Sequence, residues 1–230
     1  MEYTVNFIES VKRTSSAISF RFSRPAGFTY TAGQYMIVTL GDDLVHPLSL
    51  SDSPDETGFL EFTKRMTGSS FCRKLQELTA GDIITLKGAM GRFTLDGSEQ
   101  ILVFLAGGIG ITPIRSILKT LAKRQDHPGK AILIYGNVNE ADISFREELE
   151  GLALPGYRVV HVLADTKGVP GAHQGYISAE IISREVPDLK NTIFMVSGPP
   201  VMVDAMQKNL VGLGATEEQI RSDVFLGYET

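Results

Sequence analysis

The run Ile101-Leu-Val-Phe-Leu-Ala-Gly-Gly-Ile-Gly-Ile-Thr-Pro-Ile-Arg-Ser-Ile-Leu118 constrains this chain more than any other stretch. Ile101–Ala106 is unbroken apolar sequence, which suits a strand covered on both faces in a parallel sheet. It stops at Gly107-Gly108-Ile109-Gly110, where the missing side chains permit a tight turn and close approach by a ligand. Thr112 then offers an N-cap hydroxyl and Pro113 a pre-set first helical residue. Ile114, Ile117, Leu118 and Leu121 follow at helical spacing. A strand, a glycine turn and a helix start present free N–H groups and a positive dipole end to an anion, here read as a diphosphate. The plainer alternative is a buried turn whose glycines serve packing alone.

The chain of 230 residues is long enough for one large or two small domains, and 43 % hydrophobic residues can fill their cores. A net charge of −5 argues against a general nucleic-acid binder. Cys72 is the single cysteine, so this chain alone forms no disulfide and holds no iron–sulfur cluster. The start at Met1-Glu2 has no charged-then-apolar leader, and no run is long enough to span a bilayer. The expectation is a cytoplasmic protein with no membrane insertion.

Residues 1–98 read as β-rich. Val5–Phe7, Ala17–Phe22 and Tyr35–Leu40 carry β-branched or aromatic residues, and Ile18, Phe20 and Phe22 alternate. Turn signals separate them at Arg24-Pro25-Ala26-Gly27, Ala32-Gly33, Gly41-Asp42-Asp43 and Asp52-Ser53-Pro54-Asp55. One helix is expected over Ser70–Leu78, then a strand at Ile83–Leu86. This pattern predicts an antiparallel β-barrel. Over residues 99–230 the rhythm changes to alternating strand and helix. Strands are expected at Ile101–Ala106, Ala131–Tyr135, Arg158–Leu163 and Thr192–Ser197. Helices are expected at Pro113–Lys123, Ile143–Leu149, Ser178–Arg184 and Pro200–Leu210, with a short one after Thr216. Such alternation predicts a parallel, doubly wound sheet whose ligands bind at the carboxyl ends of its strands. Gly107–Gly110, Gly136-Asn137 and Ser197-Gly198-Pro199-Pro200 all fall at such ends.

The turn Gly107-Gly108-Ile109-Gly110-Ile111-Thr112-Pro113 is not the common dinucleotide fingerprint, which needs glycine where Pro113 stands. It resembles the Gly-Gly-x-Gly-x-Thr-Pro turn of the ferredoxin–NADP⁺ reductase superfamily, and a barrel followed by an α/β half is that family's order. The resemblance covers essentially the whole chain. It implies an N-terminal FAD-binding barrel (1–98), a C-terminal NAD(P)-binding domain (99–230) and no fused iron–sulfur domain.

On the flavin side, His46-Pro47-Leu48-Ser49 stands where the family has Arg-x-Tyr-Ser. There the Arg holds a flavin phosphate, the aromatic packs on the ring, and the Ser approaches flavin N5. Ser49 is retained; His46 can donate to phosphate, and Leu48 can cover the ring apolarly. An ordinary strand is the alternative. Gly68-Ser69-Ser70 resembles the family's Gly-x-x-Ser pyrophosphate element, with Ser70 one place early, and either Ser69 or Ser70 can instead be a plain N-cap. Phe62, Thr63 and Lys64 run just upstream as further cofactor candidates, and Lys64 and Arg65 can add charge for the flavin phosphate or simply be solvated.

On the nicotinamide side, Ser197-Gly198-Pro199-Pro200 resembles Cys-Gly-Pro-Pro, the segment beside nicotinamide during hydride transfer. Asp223-Val224-Phe225 resembles the family's closing acid-x-aromatic strand. That match makes Phe225 the residue that covers the flavin until nicotinamide arrives, with Tyr228 as runner-up. Asp223 would relay a proton at N5 with Ser49. Asn137-Val138-Asn139-Glu140 has no arginine for a 2′-phosphate, which leans toward NADH over NADPH, with Arg146, Arg158 and Lys167 as the alternative cations for such a phosphate. The resemblance thus implies an oxidoreductase that takes hydride from NAD(P)H onto bound FAD. The electrons then pass to a separate protein such as a ferredoxin or an oxygenase component. Its rivals are a free-flavin reductase and a non-catalytic redox-sensing or electron-transfer subunit.

Overall fold

The computed structural model describes residues 1–41, 44–124, 129–186 and 188–226. The first six strands are β1 (Glu2–Lys12), β2 (Ala17–Ser23), β3 (Tyr35–Leu40), β4 (Leu44–Ser49), β5 (Phe59–Arg65) and β6 (Ile83–Met90). They pair antiparallel in the order β4-β3-β6-β1-β2-β5. An isolated bridge from Leu50 to Phe62 joins the two ends, so the sheet curls into the expected barrel. Period-two alternation drives this: Met36, Val38 and Leu40 of β3 point inward with Phe20 and Phe22 of β2. Phe7 meets Phe22 edge-on at 5.5 Å between centroids, and Phe22 lies 6.0 Å from Phe62. Each such fully buried ring stabilises the barrel by roughly 1.5–3 kcal/mol. The helix α1 (Ser70–Glu77) closes one mouth by sinking Phe71 and Leu75 into the same core.

The second unit is a parallel sheet of β7 (Ile101–Gly107), β8 (Lys130–Asn137), β9 (Tyr157–Leu163), β10 (His173–Gln174), β11 (Thr192–Gly198) and β12 (Ile220–Val224). Its strand order is β10-β9-β8-β7-β11-β12. The helices are α2 (Ile111–Arg124), α3 (Arg146–Glu150), α4 (Ala179–Glu185) and α5 (Pro200–Gly212). Burial on both faces explains the unbroken apolar run in β7. Leu102, Phe104 and Ala106 pack with Ile114, Ile117 and Leu118 of α2, while Val103 and Leu105 pack on the face of Ile182, Val203, Met206 and Leu210. Strand order reverses between β7 and β11, so their carboxyl ends form the switch-point crevice.

Two helix starts differ from expectation. The helix after the glycine turn begins at Ile111, because a 3₁₀ turn over Gly108–Gly110 runs straight into it. Thr112 is therefore inside the first turn; its hydroxyl donates back to the Ile109 carbonyl at 3.1 Å and caps nothing. The helix expected over Ile143–Leu149 is delayed to Arg146, because Phe145 adopts a left-handed φ of 62°. Two guanidinium groups hold that ring, Arg115 at 4.2 Å and Arg13 at 4.8 Å from its centroid.

The two units meet along α2, where Ala32 and Phe93 of the first unit pack with Ile114, Ile117 and Leu118 and a set of ion pairs runs beside that apolar contact. Glu61 of β5 is fully buried and accepts from Arg13 (2.9 Å), Arg21 (2.9 Å) and Arg115 of α2 (2.8 Å). Arg115 also forks onto Glu148 of α3 at 3.0 and 2.9 Å. Lys119 reaches Glu56 at 2.6 Å, and Ser53 bonds Thr120 at 2.9 Å.

Candidate functional site

On the barrel side, β4 presents His46 and Leu48 half-buried and Ser49 buried, while Pro47 is exposed. The His46 ring lies 4.1 Å from that of Phe71, at 51° between planes, and Lys64 Nζ stands 5.9 Å over the same Phe71 ring. Burial first, and then the Lys64 charge, hold His46 below the ordinary imidazole range. His46 is thus a neutral donor at neutral pH, and Lys64 carries the charge at this corner. Ser69 is the N-cap of α1, accepting from the Cys72 amide at 3.3 Å, and Ser70 is exposed at the first helical position. The first-turn amides of Ser70 and Phe71 have no intrahelical acceptor, and a Cβ on the neighbouring Gly68 would meet nothing within 4 Å. Amides, an ammonium and an imidazole form an all-donor set, which fits the diphosphate of a flavin dinucleotide.

Phe62 and Thr63 do not offer side chains to this corner. Phe62 is packed in the barrel core, and Thr63 Oγ1 is shared between Ser19 at 2.7 Å and Ser51 at 2.9 Å. Cys72 is buried, with its thiol beside Thr67 and the Arg65 carbonyl.

Across the cleft, the three turn glycines have different duties. A Cβ on Gly107 would stand 2.1 Å from Met202 Sδ, and one on Gly110 would stand 2.3 Å from the Ser197 carbonyl. Packing against the β11 backbone demands Gly110, whereas at Gly107 the clash is with the end of a methionine side chain that can shift. Gly108, with φ +50°, faces the cleft, and its Cβ position lies 3.3 Å from Arg65 Nη2. The buried Tyr135 hydroxyl donates to the Gly108 carbonyl at 3.1 Å and holds the turn in place. Thr112 and Pro113 are buried in the first turn of α2, where a proline forfeits no intrahelical bond. At the end of β8, Gly136 and Asn137 are half-buried, and the Asn139 Oδ1 is buried without a hydrogen-bond partner.

The four residues assigned to chemistry gather at the ends of β4, β11 and β12. Ser197 pairs with Asp223 in the β11–β12 ladder. Ser49 Oγ, from the barrel, donates to Asp223 Oδ2 at 3.5 Å. Burial pushes the Asp223 carboxyl up to about 6, against the opposing pull of the Ser49 hydroxyl. Ser197 Oγ is fully buried and has no partner, an orphan that only a ligand or water can satisfy. Gly198 accepts from the Phe225 amide at 2.9 Å, which fixes where the half-buried Phe225 leaves the sheet. Pro199 caps α5 and Pro200 opens it. Tyr228 lies outside the described residues.

Sequence reasoning passed over some neighbours of this cleft. Arg65, assigned with Lys64 to the flavin corner or to solvent, is exposed, and its Nη2 lies 3.3 Å from where a Cβ on Gly108 would stand. Tyr35 and Arg92 line an interdomain cavity together with Asp223. Tyr176 is 87 % exposed just beyond the carboxyl end of β10, on the ligand-binding edge of the sheet. An aromatic flanked by Gly175 and an amphipathic helix was the available signal. Among the described residues no cluster of His, Cys, Asp and Glu could hold a metal ion, and no helix is long and apolar enough to cross a membrane.

Residues 2–95 match the family model described as an oxidoreductase FAD-binding domain, and residues 104–208 match that of an oxidoreductase NAD-binding domain. NADH-cytochrome b5 reductase 1 of Debaryomyces hansenii is 28 % identical over 219 residues, covering 90 % of this chain and 77 % of that protein. The Arabidopsis thaliana NADH–cytochrome b5 reductase 1 is 31 % identical over 184 residues, covering 77 % of this chain and 66 % of its own length. Among solved structures, the ferredoxin NADP⁺ reductase of Neisseria gonorrhoeae with bound FAD and NADP superposes with a TM-score of 0.85 at 22 % identity, covering 97 % of this chain and 98 % of that one.

Proposed function

We infer an electron path from the premise that this chain belongs to the ferredoxin–NADP⁺ reductase superfamily and is an FAD-dependent NAD(P)H oxidoreductase. In this reading the barrel (1–98) holds FAD and the α/β unit (99–230) presents the reduced nicotinamide to it. When bound, FAD supplies the hydride acceptor and can release electrons singly or in pairs. The α1 first-turn amides, Lys64 and His46 hold its diphosphate. With Asp223 protonated and donating to it, Ser49 would be free to turn its one hydroxyl proton to the edge of the ring; Leu48 would cover a face, and Phe225 would shield the other in the absence of nicotinamide. Gly108 and the 3₁₀ turn take the nicotinamide dinucleotide's diphosphate. Ser197 Oγ, buried and unpartnered, meets the carboxamide, and Asp223 exchanges a proton through its contact with Ser49. NADH is favoured over NADPH, because Asn137, Asn139, Glu140 and Asp142 follow β8 where a 2′-phosphate would want cations.

The acceptor is a separate electron-carrying protein of the ferredoxin, oxygenase-component or cytochrome b5 kind, the last after the names of the curated relatives. The observation that carries the reading is the meeting of Ser49, Ser197 and Asp223, placed by three strands from both units, beside an orphan hydroxyl. It is tested by gel filtration of protein loaded with FAD, then anaerobic addition of NADH and, separately, NADPH. Retained FAD whose visible absorbance bleaches faster with NADH supports it. FAD lost on the column points to a free-flavin reductase, and retained FAD that neither nucleotide bleaches removes the enzyme reading.

A further inference from the structure

We propose that the cavity between β3, the turn after β6 and β12 is a separate small-molecule site that takes a planar aromatic anion. It is a half-open cleft of about 360 Å³, lined by Tyr35, Gly91, Arg92, Phe93, Arg221 and Asp223 among others. That volume falls within the roughly 300–1,000 Å³ of small-molecule pockets, which favour domain boundaries such as this one. None of the residues around α1 or the Gly108 turn lines it, so it is distinct from both diphosphate cradles.

The wall chemistry selects the ligand. Tyr35 lies against Gly91, where a Cβ would come within 3.0 Å of its ring and φ is +104°, so glycine lets the ring keep that position. Tyr35 and Phe93 supply aromatic surface to the cavity. Arg221 is spent: its guanidinium donates to the Thr94 carbonyl at 2.9 Å, to Asp96 at 3.0 Å and to the buried Glu99. Those bonds anchor β12 to the segment joining the two units and make this wall rigid before any ligand arrives. Arg92 is exposed at the cavity, and among the described residues no acid pairs with it. Five unspent donors on a planar fork suit a carboxylate or sulfonate, and the fork can also stack on an aromatic body. Asp223 on the same lining repels a multiply charged ion, which disfavours phosphate and favours a single negative charge on an apolar plate.

The site matters because its wall shares Asp223 with the Ser49 contact, so an occupant sits against the group assigned to proton exchange. The test uses 2-naphthoate, which is planar, singly charged and redox-inert, in equilibrium dialysis against the full chain without and with FAD. Saturable binding with a dissociation constant below roughly 1 mM is expected in both forms, weakened at least about tenfold in Arg92→Gln. Inorganic phosphate and neutral naphthalene should each compete poorly. Equal affinity in Arg92→Gln, displacement by phosphate, or loss of binding once FAD is loaded would overturn the proposal. The last outcome would make the cavity part of the flavin groove. No arm depends on NADH oxidation, so failure here is distinguishable from failure of the electron path.

Discussion

Ser49 Oγ and Asp223 Oδ2 lie 3.5 Å apart although 174 residues separate them, one ending a barrel strand and the other near the end of the last strand of the parallel sheet. This contact bridges the two units at the point where β11 presents Ser197. It also puts a carboxyl where water is scarce, and two consequences can be measured.

The first concerns Asp223 and pH. Its carboxyl is raised from 3.8 to about 6, so the folded protein binds this proton more tightly than the unfolded chain does. The penalty for burying the charge is therefore fully present above pH 6 and fades as pH falls toward 4. It amounts to at most about 3 kcal/mol. Asp223→Asn should melt higher than the parent at pH 8 and equally at pH 4. In the same variant the rate of FAD reduction by NADH should fall by roughly 10²-fold and lose its inflection near pH 6. A variant that keeps the inflection assigns it to another group.

Ser197 offers a test in which stability and activity move oppositely. An unpartnered buried hydroxyl costs about 1 kcal/mol or more of desolvation, so Ser197→Ala should raise the melting temperature of the FAD-free protein slightly. If the hydroxyl waits for the carboxamide, the same change should slow hydride transfer roughly tenfold. Stopped-flow bleaching of the flavin at saturating NADH measures it. A melting point that falls means the hydroxyl already has a partner.

The turn glycines separate packing from binding. Gly110→Ala forces a methyl to 2.3 Å from the Ser197 carbonyl and should destabilise the α/β unit by about 3 kcal/mol or more, or prevent its folding. Gly108→Ala meets only the end of a flexible arginine and a positive φ, and should cost about 1 kcal/mol of stability. Its main effect should be a higher KM for NADH. Urea unfolding and KM, measured on both, distinguish the two duties that the Gly-Gly-x-Gly spacing runs together.

The strand and helix rhythm was legible because both faces of the parallel sheet and one face of each barrel strand leave a periodic signal. The chemistry was read only through the resemblance; of its residues the structure sets Ser49 on Asp223 and pairs Asp223 with Ser197 in the ladder. The delayed start of α3 was not legible, because Phe145 is held left-handed by Arg13 and Arg115, guanidinium groups 132 and 30 positions upstream. Thr112 misled for a local reason: a 3₁₀ turn moved the helix start to Ile111. Arg65 was read with its neighbour Lys64, but the end of the strand turns its side chain toward Gly108.

The buried cluster around Glu61 was equally invisible, and it yields the last expectation. Burial alone would raise the Glu61 carboxyl; the charges of Arg115 and Arg13 and the hydrogen bond from Arg21 overcome it and hold the carboxyl below its usual range. A depressed carboxyl stabilises the fold above its unfolded value near 4.3, and that contribution drains away as pH falls below it. Replacing Glu61 by Gln keeps the shape but removes the one carboxylate that three guanidinium groups share; Arg115 keeps Glu148 and Arg21 keeps Glu9, while Arg13 is left without an acid among the described residues. The loss should be about 3–5 kcal/mol. Because Arg115 belongs to α2, the helix that carries the glycine turn, the damage should not stay in the barrel. Residual folded Glu61→Gln protein should retain FAD while its KM for NADH rises, and the acid limb of its melting curve should flatten below pH 5. If FAD is lost first, the cluster serves the barrel alone and the coupling through α2 is wrong.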